Sequence, residues 1–108
     1  MRALRFDRFG GPEVLQVMEL PDPVATAREA VIRVQAASVN PSEVKNVAGA
    51  MEDTVLPRVP GRDFSGVVVS GSPEWQGLPV WGTGGEVGFT RDGSHAHADV
   101  PAGQCLGP

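Results

Sequence analysis

The chain has 108 residues, a length typical of one domain with its own hydrophobic core. It is 41% hydrophobic and 20% charged, and its net charge of -4 excludes a basic surface for a nucleic-acid backbone. Cys105 is the only cysteine, which excludes an internal disulfide, and no run approaches the roughly 20 apolar residues of a membrane span. We therefore expect a cytoplasmic protein that binds neither nucleic acid nor membrane.

Short strands separated by turns are predicted along most of the chain. The 14 glycines and 10 prolines are spread between apolar or β-branched segments, as in all-β folds. The predicted strands are residues 1–6, 14–20, 29–39, 63–70, 79–81 and 94–100. Period-two patterns predict a core that includes Ile32, Val34, Phe64, Val67 and Val69.

Two glycines add detail to the predicted strands, and a third feature predicts a helix. Gly66, in the middle of a strand, indicates a bulge or a close backbone approach. The glycines that start at Gly82 predict the end of the fifth strand. A short helix is predicted over residues 43–48, with Ser42 as its cap and Gly49 at its end. The pattern favours a mainly β fold, a small barrel or sandwich.

The sequence GTGGEVG, Gly82 to Gly88, is the first candidate binding motif. Its glycine spacing, G-x-G-x-x-x-G, differs from the dinucleotide-binding fingerprint, and residues 89–93 predict a turn where that fingerprint needs a helix. A flexible glycine loop is therefore the favoured interpretation.

Histidines near the end of the chain are the second candidate. His95 and His97 would share one face of a strand, where a metal could bind them, but Asp99 is the only carboxylate close by. Surface histidines are the favoured interpretation. A nucleophilic pair of Cys105 with either histidine is weaker, because Cys105 lies in a Gly/Pro-rich tail.

Polar residues within residues 39–69 have both structural and functional interpretations. Asn40 follows a strand and precedes Pro41, and its amide can donate and accept without titrating. It could therefore hold a cofactor amide or a substrate carbonyl, or it could form a turn with its own backbone. Arg62 and Asp63 could form a structural salt bridge at the start of a strand, or they could line a pocket.

Four segments together resemble the medium-chain dehydrogenases/reductases, and among them the zinc-free quinone oxidoreductases. They are MRALRFDRFGGPEVL, AVIRVQAASVNPSEVKNVAG, LPRVPGRDFSGVVV and VWGTGGEVGFTRDGSHA. The resemblance implies that residues 1–108 form a GroES-like N-terminal catalytic domain, an irregular β-barrel with one or two short helices. It implies a catalytic role for Asn40 and a substrate or cofactor cleft that includes Pro41, Lys45, Arg62 and Asp63.

The same resemblance implies a reaction and a cofactor. Zinc-free members reduce quinones, enones or related carbonyls by hydride transfer from NADPH. Zinc members carry Cys and Gly-His-Glu where this chain has Asn40 and Gly61-Arg62-Asp63, so no catalytic zinc is expected. The chain also contains no tyrosine, which excludes a tyrosine proton donor from this domain.

The Rossmann domain that such enzymes use to bind NADPH is absent from these 108 residues. We therefore expect the chain alone to be catalytically incomplete and to bind no cofactor, and the full-length protein to use NADPH. The implied partners are a small carbonyl or quinone substrate, the missing Rossmann domain and a second copy in a homodimer. The alternative is a stand-alone GroES-like module for binding or oligomerisation, without redox activity.

Overall fold

The computed structural model describes residues 1–99 and 106–107, and within them strands dominate. The strands are β1 (Arg2–Arg5), β2 (Gln16–Glu19), β3 (Val31–Ala36), β4 (Asp63–Ser70), β5 (Pro79–Thr83), β6 (Ala98–Asp99) and β7 (Leu106–Gly107). Helix α1 spans Pro41–Val47, and single 3-10 turns occupy Pro12–Val14 and Pro73–Trp75. The predicted mainly β fold with one short α-helix is confirmed.

The strands form two antiparallel sheets. β1 pairs with β2, and the larger sheet has the order β6-β3-β4-β5-β7. Isolated bridges from Ala3 to Ala96 and from Phe6 to Arg58 connect the small sheet to the rest of the chain. Because no strand ladder joins the two sheets over the described residues, they do not close into a continuous barrel. No helix in this part of the chain is long and apolar enough to cross a membrane.

Two clusters of packed hydrophobic side chains lie in the core of the described residues. One contains Phe6, Val14 and the α1 residue Val47. The other contains Ala30, Ile32, Phe64, Val68 and Val80, with Val34 packed against it. Burial of Ile32 and Phe64 and the packing of Val34 confirm three members of the predicted core.

The predicted burial of the other two valines in β4 is wrong. Val68 is buried, whereas Val67 is only partly buried and Val69 is 46% exposed. Because side chains alternate along a strand, Phe64 and Val68 share the inner face. Three consecutive valines carry no alternation of their own, so the face is set by the neighbouring Phe64.

Gly66 lies on the inner face of β4 and meets the backbone of β3. A Cβ atom at this position would lie 2.2 Å from the Arg33 carbonyl oxygen. The register between the two strands also shifts between Val34 and Ala36. The predicted close backbone approach at a strand glycine is therefore confirmed.

Several predicted strand boundaries are corrected. β2 begins only at Gln16, because residues 12–14 form a 3-10 turn, and β3 is shorter than residues 29–39. β5 continues through Gly82 and Thr83, which pair with Phe64 and Asp63, so the glycines do not end it at Trp81. Of the strand predicted at residues 94–100, only Ala98–Asp99 belongs to β6, and Val100 lies outside the described residues.

Candidate functional site

The site is organised by the N-terminus of α1, which begins two residues earlier than predicted, at Pro41 instead of Glu43. Asn40 is the N-cap residue, in extended conformation, and Pro41 occupies the first helical position. Ser42 therefore lies inside the helix, and its predicted role as the cap is wrong. Proline suits this position because its fixed φ is helical and its missing N–H is not needed there.

The Glu43 side chain binds the N-cap residue and connects it to the start of β4. One carboxylate oxygen accepts a hydrogen bond from the Asn40 backbone N–H at 2.5 Å, and the other accepts from the Arg62 N–H at 3.2 Å. Glu43 is only 4% exposed, so both bonds form away from bulk water. Its carboxylate thereby holds the start of α1 against the start of β4.

The opposite end of α1 is closed by the predicted glycine. Gly49 has φ +90°, and the Gly49 and Ala50 N–H groups donate to the carbonyls of Asn46 and Lys45 at 3.1 and 2.9 Å. This pair of bonds is the Schellman motif, which favours glycine because a side chain would be strained at that φ. The helix is thus fixed at both ends.

Asn40 and Asp63 meet directly at the junction of α1 and β4. The Asn40 Nδ2 atom donates to Asp63 Oδ2 at 2.9 Å, and the Ser38 N–H donates to Oδ1 at 2.9 Å. Burial alone would raise the pKa of Asp63, but these hydrogen bonds outweigh it and lower that pKa below its usual value. The pair therefore joins a neutral amide to an ionised carboxylate.

Arg62 turns away from Asp63, and no ion pair joins the two in the described structure. Its guanidinium donates to the carbonyls of Gly85 at 2.7 Å and Val87 at 3.3 Å, and it lies 4.0 Å from the centre of the Phe89 ring. The salt bridge considered from the sequence is therefore wrong. Arg62 instead orders the glycine-rich turn through hydrogen bonds and a cation–π contact.

The glycine-rich turn is a backbone scaffold rather than a phosphate cradle. Gly84, Gly85 and Gly88 all have positive φ, and residues 89–93 contain no helix. Carbonyl oxygens of the turn accept hydrogen bonds from side chains, and that of Gly88 accepts from Asn46 Nδ2 at 2.8 Å. A phosphate needs N–H donors at a helix start, which this turn does not provide.

The histidine segment packs against the Pro60-Gly61 turn. His95 Nε2 lies 3.0 Å from the Ser38 carbonyl oxygen, and its backbone N–H donates to the Pro60 carbonyl at 3.0 Å. His97 is exposed. No group of three His, Cys, Asp or Glu residues within residues 1–99 and 106–107 could hold a metal ion. Cys105, the third residue of the nucleophile hypothesis, lies outside the described residues.

The structure brings some of the predicted cleft residues together and separates others. Asn40 and Asp63 are in contact, Pro41 and Lys45 are exposed on α1, and Arg62 points toward the glycine turn. An open groove of about 460 Å³ adjoins the cluster and is lined by Asp63 and the exposed Trp81, among others.

Sequence reasoning missed the bridging role of Glu43 and the participation of Ser38 and Ser94. Ser94 donates its hydroxyl to the Asp63 carbonyl oxygen at 2.5 Å. A signal for Glu43 was present in the sequence, because an N-cap asparagine followed three positions later by glutamate is the pattern of a capping box. No local signal pointed to Ser38 or Ser94.

The described residues thus form two antiparallel sheets, a capped helix between β3 and β4, and a polar cluster where that helix meets β4. The chain matches the alcohol dehydrogenase GroES-like domain family over residues 26–105 and belongs to that family.

Relatives and solved structures agree with this assignment. A zinc-type alcohol dehydrogenase-like protein of Schizosaccharomyces pombe is 39% identical over 99 residues, which cover 89% of this chain and 30% of the relative. A quinone oxidoreductase of Mus musculus is 40% identical over 72 residues, 65% of this chain and 22% of the relative. The structure of a thermostable alcohol dehydrogenase from Pyrobaculum aerophilum superposes with a TM-score of 0.88 at 29% identity, over 98% of this chain and 40% of that chain.

The chain thus spans less than a third of these curated relatives' lengths. The matched oxidoreductase relatives are therefore considerably longer than these 108 residues.

Proposed function

We propose that this chain is the substrate-side domain of a zinc-independent, NADPH-dependent oxidoreductase that reduces a quinone, an enone or a related carbonyl by hydride transfer. The observation that carries the proposal is the Asn40 amide, held on the ionised Asp63 at the junction of α1 and β4. The similarity to quinone oxidoreductases supports the substrate class. The single cysteine supports a reducing, cytoplasmic location.

Zinc independence rests on the chemistry of the side chains present. The Asn40 amide nitrogen already donates to Asp63, and an amide oxygen is a weak ligand for zinc. The Arg62 side chain carries a permanent positive charge, and its guanidinium donates to two backbone carbonyls. This donor set does not fit a catalytic zinc, which takes thiolate, imidazole and carboxylate ligands.

The NADPH site would lie outside the described residues. The turn at residues 84–88 offers carbonyl acceptors, and no helix begins behind it, so the described residues do not fit a pyrophosphate. We propose that a Rossmann domain holds NADPH, the hydride donor, and that a second copy of the protein completes a homodimer.

The proposed catalytic group is the second N–H of the Asn40 amide. An asparagine amide has two N–H donors, and one of them is used on Asp63. Within the described residues the other has no protein partner, so it can donate to a substrate oxygen on which negative charge develops. Asp63 fixes the amide orientation, and Glu43 fixes the backbone of the same residue.

A chimera tests this function. Residues 1–108 replace the matching N-terminal segment of the mouse quinone oxidoreductase, and oxidation of NADPH and of NADH is followed with a quinone and with an enone. We expect turnover with NADPH and substoichiometric zinc in purified protein. A folded chimera that reduces neither substrate with either cofactor, or one that depends on stoichiometric zinc, would refute the proposal.

Variants of Asn40 in the chimera separate catalysis from capping. Loss of one donor to developing charge typically lowers the rate by ~10²–10³-fold. We therefore expect a decrease of that order in kcat/KM for Asn40→Ala and also for Asn40→Asp, which keeps a good cap but lacks the amide donor. If kcat/KM is unchanged in both variants, Asn40 is only a cap, and its loss lowers stability by about 1 kcal/mol in the alanine variant.

A further inference from the structure

An apolar cavity of about 260 Å³ lies beside α1, formed with the β1 segment and the turn at Gly10 and Gly11. The apolar side chains that line it come from four parts of the chain and include Leu4, Leu15, Val39, Val44, Val47 and Pro60. Val44 and Val47 lie on one face of α1, because residues three apart are neighbours on a helix. Lys45 and Asn46 lie on other faces, and Asn46 is bound to the glycine turn.

The two polar side chains that line the cavity, Glu43 and His95, already have hydrogen-bond partners outside it. Both oxygens of Glu43 accept from backbone N–H groups, of Asn40 and Arg62. His95 places Nε2 against the Ser38 carbonyl oxygen. A buried water typically needs two to four polar partners, and these residues offer few in the cavity. The cavity therefore favours an apolar occupant over water.

The mouth of the cavity exposes apolar side chains. Val39 is 79% exposed and Val44 is 63% exposed, although both also line the cavity. Removing such apolar surface from water is favourable in proportion to its area. An occupant that covers the two valines would therefore gain contacts at the mouth as well as inside.

We infer that this cavity is a binding site for a small uncharged apolar molecule, of the size of one aromatic ring with short alkyl substituents. An apolar cavity of about 150 Å³ accommodates benzene, so the larger volume here leaves room for a few more carbon atoms. This site goes beyond the proposed function, because it needs neither the Asn40 amide nor a cofactor. The α1 valines that line it, Val44 and Val47, lie on a different face of the helix from Lys45.

Toluene is the probe, titrated into the 108-residue chain with methyl-labelled leucine and valine and followed by NMR. We expect saturable shifts of the Leu15, Val44 and Val47 methyl signals. Benzoate, which has a similar shape but carries a charge, should produce none of them, because no Lys or Arg among the described residues lines the cavity to compensate for its desolvation.

Two variants and one matched control complete the test. Val44→Asp makes the mouth polar, Ala48→Leu adds volume at a residue that lines the cavity, and both sites are exposed. Each should weaken toluene binding at least ~10-fold, whereas Val55→Asp, at a 55% exposed valine elsewhere, should leave it unchanged. The inference is overturned if toluene causes no saturable shifts in the native chain, if benzoate binds as well, or if all three variants bind alike. These outcomes are independent of the chimera assay.

Discussion

Replacement of Glu43 by glutamine tests whether one buried carboxylate holds the candidate site together. The native carboxylate accepts from the N–H groups of Asn40 and Arg62, at 2.5 and 3.2 Å. Glutamine has nearly the same shape but offers only one acceptor oxygen, and its NH2 group would face a backbone N–H. One backbone donor would then lose its partner in a buried environment.

The expected cost follows from these bonds. A hydrogen bond to a charged group contributes roughly 1.5–3 kcal/mol, and a buried donor left without a partner costs roughly 1–3 kcal/mol. These two figures overlap in part, so we expect Glu43→Gln to lower the free energy of unfolding by about 2–4 kcal/mol. In a domain of this size each kcal/mol lowers Tm by about 4–8 °C.

Glu13 provides the matched control, because its exposed carboxylate also accepts from a backbone N–H, that of Gly11 at 3.1 Å. Water can replace that bond, so Glu13→Gln should change the free energy of unfolding by less than about 0.5 kcal/mol. Urea titrations measure both variants, and hydrogen exchange of the Asn40 and Arg62 amides locates the effect. Equal stability of the two variants would mean that the desolvation cost of the Glu43 carboxylate cancels the gain from its hydrogen bonds. That result would refute the stabilising role of Glu43 between α1 and β4.

Further outcomes follow from the glycines and from one acidic residue. Gly66→Ala should lower the free energy of unfolding by about 1–3 kcal/mol or more, because its Cβ would lie 2.2 Å from the Arg33 oxygen. Gly77→Ala, where no atom lies within 4 Å but φ is +81°, should cost only about 1 kcal/mol, and equal urea midpoints would contradict this comparison. Bonds from Thr26 and the pair with Arg91 lower the pKa of Glu29 to about 2. Its contribution to stability is therefore complete above about pH 4.5 and lost as pH falls toward 2, so Glu29→Gln should flatten the dependence of Tm on pH across that window.

The local sequence pattern predicted where strands form, but it did not always predict which face of a strand is buried. β4 was predicted with its bounds of Asp63–Ser70, because a β-branched run between turn signals indicates a strand. Its inner face was not predicted correctly, since three valines in succession fit either face equally well. Packing of Phe64 against Ile32 and Val80 decides which valine is buried.

The candidate site shows the same division. The sequence indicated Asn40 and Asp63 separately, through a strand end before proline and through the Gly61-Arg62-Asp63 turn. It could not indicate that the Arg62 side chain binds the Gly85 and Val87 carbonyls instead of Asp63, because those partners are more than 20 residues away along the chain.

By itself, the sequence determined the class of fold, the position of α1 between two strong strands and the glycines at positions of special backbone geometry. These depend on side-chain periodicity, proline and glycine, which act over a few residues. Only the tertiary structure decided which polar groups pair. The Asn40–Asp63 contact, the Glu43 bridge and the apolar cavity beside α1 each join segments distant in the chain. Their hydrogen bonds and burial exist only after the two sheets and the helix have packed together.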